Sequence, residues 1–142
     1  MAFADVKRKH PFEIDGIVLL PNHIHCIWRL PEDDDDFATR WRLIKHYFSR
    51  FCLGVKEIQN QSRRNKYEKA VWQRRYWEHL IRDERDWQRH MDYIHYNPVR
   101  HGLVTRPCNW THSSFERAVK QGLYEIDWGS NEPENIVGVS FE

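Results

Sequence analysis

The sequence predicts an α+β fold, an antiparallel sheet with helices packed on it. Two observations carry this. Apolar and polar residues alternate in two runs on either side of Pro21-Asn22, the pattern of a β-hairpin. Further on, apolar residues recur at helical spacing, first at Phe37, Trp41, Ile44, Phe48 and Phe51, then at Trp87, Met91 and Ile94.

Taken in order, Phe12 to Leu20 begins as alternation and turns continuously apolar and β-branched, so it reads as a strand going from half-buried to buried. Pro21-Asn22 marks a tight turn. A second strand runs from His23 to Leu30, with Ile24, Cys26, Trp28 and Leu30 on one face and His23, His25, Ile27 and Arg29 on the other. Pro31 ends it. The acidic run Glu32 to Asp36 complements the positive end of the helix expected from about Phe37 to Cys52. Residues 54–70 are polar and aperiodic and read as a long basic loop, and Val71 to Arg82 as an aromatic-rich strand. Asp83 caps the next helix, which Pro98 is expected to stop or kink, with Gly102 offering a later stop. A short helix from about Ser114 to Gln121 precedes a loose acidic tail beyond Gly129.

The 142 residues suit one domain. No apolar run approaches the roughly 20 residues that span a bilayer, and the first dozen residues lack the apolar stretch of a secretion signal. Cys26, Cys52 and Cys108 are odd in number and far apart, which argues for reduced thiols in the cytoplasm rather than a disulfide framework or a zinc ribbon. The net charge of +1 hides an asymmetry: residues 37–120 hold 18 Lys and Arg against 8 Asp and Glu. A basic middle between acidic ends is a footprint of polyanion binding, and fifteen of the twenty-two basic residues are arginines, whose planar fork suits phosphate. The same arginines also suit solvated faces and helix ends.

Two segments carry candidate chemistry. In Pro21-Asn22-His23-Ile24-His25-Cys26-Ile27-Trp28, the two histidines sit two apart on one strand face, about 6–7 Å apart. Imidazoles so placed can both lie about 2.1 Å from one divalent ion, leaving open positions for phosphate oxygens and water. They can equally be a polar strand face. In Tyr93-Ile94-His95-Tyr96-Asn97-Pro98-Val99-Arg100, Tyr93 and Asn97 are one helical turn apart beside the apolar stripe. The alternative there is a packed tyrosine and a capping asparagine.

Together with the segments Thr39 to Lys45, Val71 to His79 and Asp92 to Val104, a nearby Trp110 and Ser113-Ser114-Phe115, these motifs make the chain resemble the REP-associated tyrosine transposases. Those are single-tyrosine HUH endonucleases, and the resemblance runs from about Val6 to Gly129. It implies that His23 and His25 form the HUH motif, that Tyr93 is the nucleophile, and that Asn97 stands where many relatives have a glutamine completing the metal site. It implies a divalent ion, Mg2+ or Mn2+, and single-stranded DNA beside a folded REP-type hairpin as substrate. Cleavage would leave a 5′-phosphotyrosine and a free 3′-hydroxyl. Because the covalent bond conserves the phosphodiester energy, no nucleotide cofactor is implied. Arg40, Arg42, Lys45, Arg63, Arg64 and Lys66 are the expected hairpin contacts, in a cytoplasmic monomer or homodimer with no membrane partner.

The resemblance further implies a ferredoxin-like (RRM-like) antiparallel sheet with helices on one face, formed by residues 1–129 and followed by the tail 130–142. Relatives open with an additional strand and a long helix, of which Asp5 to His10 matches the end, so the expectation is an N-terminally truncated domain. Three readings stand at this point: a DNA strand transferase, a weakened hairpin-binding relic of one, and a non-enzymatic metal-binding or interaction domain.

Overall fold

A computed structural model describes residues 2–55 and 78–141, with side chains for 4–46 and 78–141. The basic loop, with Arg63, Arg64 and Lys66, and most of the expected strand Val71 to Arg82 lie outside the described residues. The part of that strand that is described, residues 78–82, is irregular chain rather than strand. The chain divides into two compact units, residues 1–13 with 30–78 and residues 14–29 with 79–142.

In the first unit, α1 (Ala2–Lys9) packs against α2 (Phe37–Val55), burying Val6, Phe12 and Ile44. Phe37 and Trp41 are partly buried, and the Phe48 and Phe51 side chains lie outside the described ones. Asp36 starts α2 by accepting the Thr39 backbone N–H at 3.1 Å. Arg40, expected to face DNA, is instead 2% exposed. Its Nη1 and Nη2 donate to the two carboxylate oxygens of Asp34 at 3.1 and 2.8 Å. Its remaining bonds go to the carbonyls of His10, Pro11 and Asp36. Five donors satisfied by one acidic loop and the end of α1 make this arginine a structural clamp.

The clamp sets an acid limit. The Arg40 hydrogen bond holds the Asp34 carboxyl down from 3.8 to about 2. A depressed folded-state pKa contributes stability that is full above the unfolded value and is lost as pH falls through the folded one. The first unit should therefore weaken as pH drops from about 4 to about 2. Denaturant midpoints measured across that range should fall in the wild type and flatten in Arg40→Met, which starts from a lower plateau because Asp34 and three carbonyls lose their donor.

The second unit is built on an antiparallel hairpin, β1 (Glu13–Leu19) and β2 (Ile24–Arg29), closed by Leu20 N–H donating to the His23 carbonyl at 2.8 Å. The other edge of β1 bridges Ser113, with Leu19 N–H donating to His112 O and Ser114 N–H to Ile17 O. Across the hairpin lies α3 (Glu84–Arg100), capped by Asp83, whose side chain accepts the Asp86 N–H. Val18, Leu20, Ile27, Met91 and Ile94 form the shared core, with Trp87 packed beside it. Gly16 allows the close approach, since a Cβ there would fall 2.7 Å from Met91 Sδ.

Strand and helix run in opposite senses with matched lengths. His23 meets His101, His25 meets Tyr93, and at the far end Arg29 and Trp87 share Asp15 Oδ2 at 3.0 and 2.9 Å. Six strand residues span about 20 Å, and the fourteen helical residues from Trp87 to Arg100 about 21 Å. Pro98 does not stop the helix, which continues to Arg100 with the proline buried inside it. It withholds only the N–H that Ile94 O would have taken. The stop comes at Gly102, with φ 71° and its N–H on Val99 O.

The remaining chain packs back on α3. A short helix α4 (Phe115–Lys120) buries Phe115 and Ala118 with Tyr124. The acidic segment after Gly129, expected to be loose, docks through the fully buried Ile136. Asp92 of α3 holds it, accepting from Tyr124 OH, Gln88 Nε2 and Asn135 Nδ2 at 2.7 Å each. Among the described residues no helix is long and apolar enough to cross a membrane.

Candidate functional site

Period two places His25 on the same face of β2 as the core residue Ile27, so the histidine side of the hairpin is the side that α3 covers. At the turn end of β2 this face carries imidazoles instead of aliphatics. The His23 and His25 ring centroids are 4.8 Å apart and nearly perpendicular. His23 Nδ1 lies 2.6 Å from Asn22 Oδ1. An oxygen acceptor there puts the proton on Nδ1 and the lone pair on Nε2, the arrangement that second-shell partners give metal-binding histidines.

From the helix side, Tyr93 meets His25 edge to face, with centroids 5.6 Å apart. The Tyr93 ring also contacts Phe141 at 4.8 Å, and Arg100 Cζ stands 5.1 Å from its centre. Tyr93 is 2% exposed and Asn97 fully buried. The Tyr93 hydroxyl and both amide atoms of Asn97 have no hydrogen-bond partner among the described residues. Each such buried polar atom costs about 1–3 kcal/mol, and three of them one turn apart on one helix face call for a ligand-side explanation. Neighbouring His95 is otherwise engaged: its Nε2 lies 2.8 Å from Ser114 Oγ, and burial lowers its pKa to about 4, so it stays neutral.

The structure thus brings His23, His25 and Tyr93 together through ring contacts and sets Asn97 one turn from Tyr93. Of the expected DNA contacts, Arg42 is exposed and Lys45 half-buried, with its pKa lowered by desolvation. Sequence reasoning missed His101, whose ring is 5.4 Å from His23, because it lies outside both motifs, beyond the last helical residue Arg100. It also missed a cluster nearer the start of α3. There His79, Asp86 and His90 hold ligand atoms within 4.8 Å of one another. The signal in the sequence was the Asp86–His90 pair at i,i+4.

No protein-family model matches the chain. The REP-associated tyrosine transposase of Escherichia coli (strain K12) is 48% identical over 130 residues, 92% of this chain and 70% of that protein. The chain belongs to the REP-associated tyrosine transposase family. A Haemophilus influenzae relative bearing the same family name is 44% identical over 137 residues, 96% of this chain and 78% of that protein. Agreement extends to structure. A REP-associated tyrosine transposase solved bound to a REP hairpin superposes with a TM-score of 0.78 at 47% identity, covering 94% of this chain and 72% of that one. Family membership makes the chain a homologue of HUH endonucleases and brings with it an expectation of metal use.

Proposed function

We propose that this chain is a transposase-like strand transferase that cuts single-stranded DNA beside REP-type hairpins, with Tyr93 as nucleophile. His23, His25 and Asn97 would hold a divalent ion, Mg2+ or Mn2+. The observation that carries this reading is the meeting of the His25 ring with Tyr93 above a helix face bearing three polar atoms that have no hydrogen-bond partner among the described residues. Two imidazoles and an amide oxygen are a donor set that fits a divalent ion with positions left open for phosphate oxygens. Such an ion would neutralise charge developing on the scissile phosphate.

The chain's own groups do the rest. Attack forms the bond from the Tyr93 oxygen to phosphorus and breaks the bond to the 3′ oxygen, so the phenolic proton leaves and the departing 3′ oxygen takes up a proton. The product is a 5′-phosphotyrosine and a free 3′-hydroxyl, and reverse attack by a 3′-hydroxyl rejoins strands with no outside energy source. Arg42 and Lys45, with Arg63, Arg64 and Lys66, are proposed to grip the hairpin backbone. The hairpin β1–β2 with α3 across it is read as part of a ferredoxin-like sheet, in a cytoplasmic protein acting as a monomer or homodimer.

A hairpin-flanked oligonucleotide with Mn2+ or Mg2+ tests the reading: adduct and 3′-hydroxyl product should form with metal and vanish with chelator. One other reading has support. Tyr93 is almost fully buried under Phe141, which suits a hairpin binder without turnover. That reading predicts binding and no adduct under any metal.

Both readings share a binding prediction. A hairpin with a single-stranded foot should bind more tightly than blunt duplex, and affinity should fall steeply with salt as phosphate contacts release counterions. Fluorescence anisotropy at 50 and 200 mM salt checks it, with about 10^3-fold weakening expected for some six phosphate contacts. A flat titration counts against the basic surface.

A further inference from the structure

We propose that His79, Asp86 and His90 form a second metal site, separate from the histidine pair of β2, which takes Zn2+ or a similar transition-metal ion. The three residues come from the chain entering α3 and from the first two turns of the helix. Asp86 sits between the two imidazoles: His79 Nε2 is 2.8 Å from its Oδ2, and His90 Nδ1 is 3.2 Å from its Oδ1. The rings stack at 4.7 Å with planes 12° apart, and all three donors lie within 4.8 Å of one another. Tetrahedral zinc with bonds near 2.1 Å spaces its donors about 3.4 Å apart. Two of the separations already fall near that value, so a bound ion requires that His79, the most exposed of the three, swing in and that the ion displace the proton through which His90 Nδ1 bonds the Asp86 carbonyl at 2.8 Å.

The chemistry of the donors matches. Asp86 is 8% exposed and its carboxyl is held down to about 2, chiefly by the His79 hydrogen bond, so it is an anion throughout the ordinary pH range. His90 is 7% exposed, and desolvation lowers its pKa, favouring the neutral imidazole that a metal requires. Two imidazoles and one carboxylate are a donor set that zinc and its neighbours take readily. A buried carboxylate flanked by two histidines also differs from the solvated acidic clusters that rarely hold ions.

Position gives the site a consequence. His90 is one helical turn before Tyr93, and both rings contact Phe141. An ion here would staple the chain at His79 to the helix that presents Tyr93 and Asn97, a structural role independent of DNA cleavage.

The test is a titration of the full chain with Co2+ followed by Zn2+. In a His23→Ala/His25→Ala variant, which lacks the β2 pair, one equivalent of Co2+ should still bind with the strong visible absorption of a tetrahedral ion. Zn2+ should displace it and raise the melting temperature by several degrees. His79→Gln and Asp86→Asn, each placed in that background, should abolish both signals. Asp86→Asn also removes a buried anion and could unfold the chain, so the half-exposed His79→Gln is the deciding variant. No metal uptake by the His23→Ala/His25→Ala chain, or uptake unchanged by His79→Gln, overturns the proposal and leaves the cluster a hydrogen-bonded helix anchor.

Discussion

Tyr93→Phe should eliminate the covalent protein–DNA adduct, leave hairpin binding intact, and leave the melting temperature unchanged or higher. The first two effects follow from removing only the oxygen that attacks phosphorus. The third separates this tyrosine from an ordinary buried one. A buried tyrosine normally loses about 1 kcal/mol on becoming phenylalanine because its hydroxyl is hydrogen-bonded. The Tyr93 hydroxyl has no partner among the described residues, so its deletion removes a desolvation cost and breaks no bond. A gel shift, a denaturing gel and a thermal melt on the same preparation read all three. A clear loss of stability would mean that Tyr93 is held by a hydrogen bond and is a packing residue.

Asn97→Leu should move activity and stability in opposite directions. The amide is fully buried with neither atom paired among the described residues, in the interior of a helix where leucine is the better former. Replacing it with an apolar side chain of similar volume should raise stability by about 1–3 kcal/mol, the cost of burying an unsatisfied polar group. Cleavage should fall on the order of 100-fold, the scale for losing one group that stabilises developing charge. Denaturant unfolding and single-turnover cleavage check the two halves. Such a trade is expected where a site, rather than the fold, has dictated the residue.

Much of this was legible in the sequence, for reasons that can be named. The hairpin rests on a two-residue period and a Pro-Asn turn, both local, so the face shared by the histidines followed directly. The start of α3 was marked by Asp83, which caps it through a bond to its own third neighbour. What was not legible depended on contacts between distant segments. Pro98 left a stop there and a later stop at Gly102 both open because its cost is local, and burial in the packed unit keeps the helix going for two more residues. Residues after Gly129 look loose because they are acidic. What holds them is Ile136 in the core and Asn135 on Asp92, 43 positions away. Arg40 looked solvent-facing because it lies off the apolar stripe. The run Glu32 to Asp36 was read as complementing a helix dipole, and one of its members, Asp34, holds that arginine. The His79–Asp86–His90 group needed a residue from outside the helix, which no helical period reveals.

The most direct test of the central assignment is to find the atom that carries the DNA. The adduct formed with a hairpin-flanked oligonucleotide and Mn2+ should be digested with nuclease and trypsin, and the linked peptide sequenced by tandem mass spectrometry. Trypsin should release His90 to Arg100, which contains both Tyr93 and Tyr96. The expected result is a 5′-phosphonucleotide on Tyr93 alone. Modification of Tyr96, or of a tyrosine in any other peptide, would contradict the assignment.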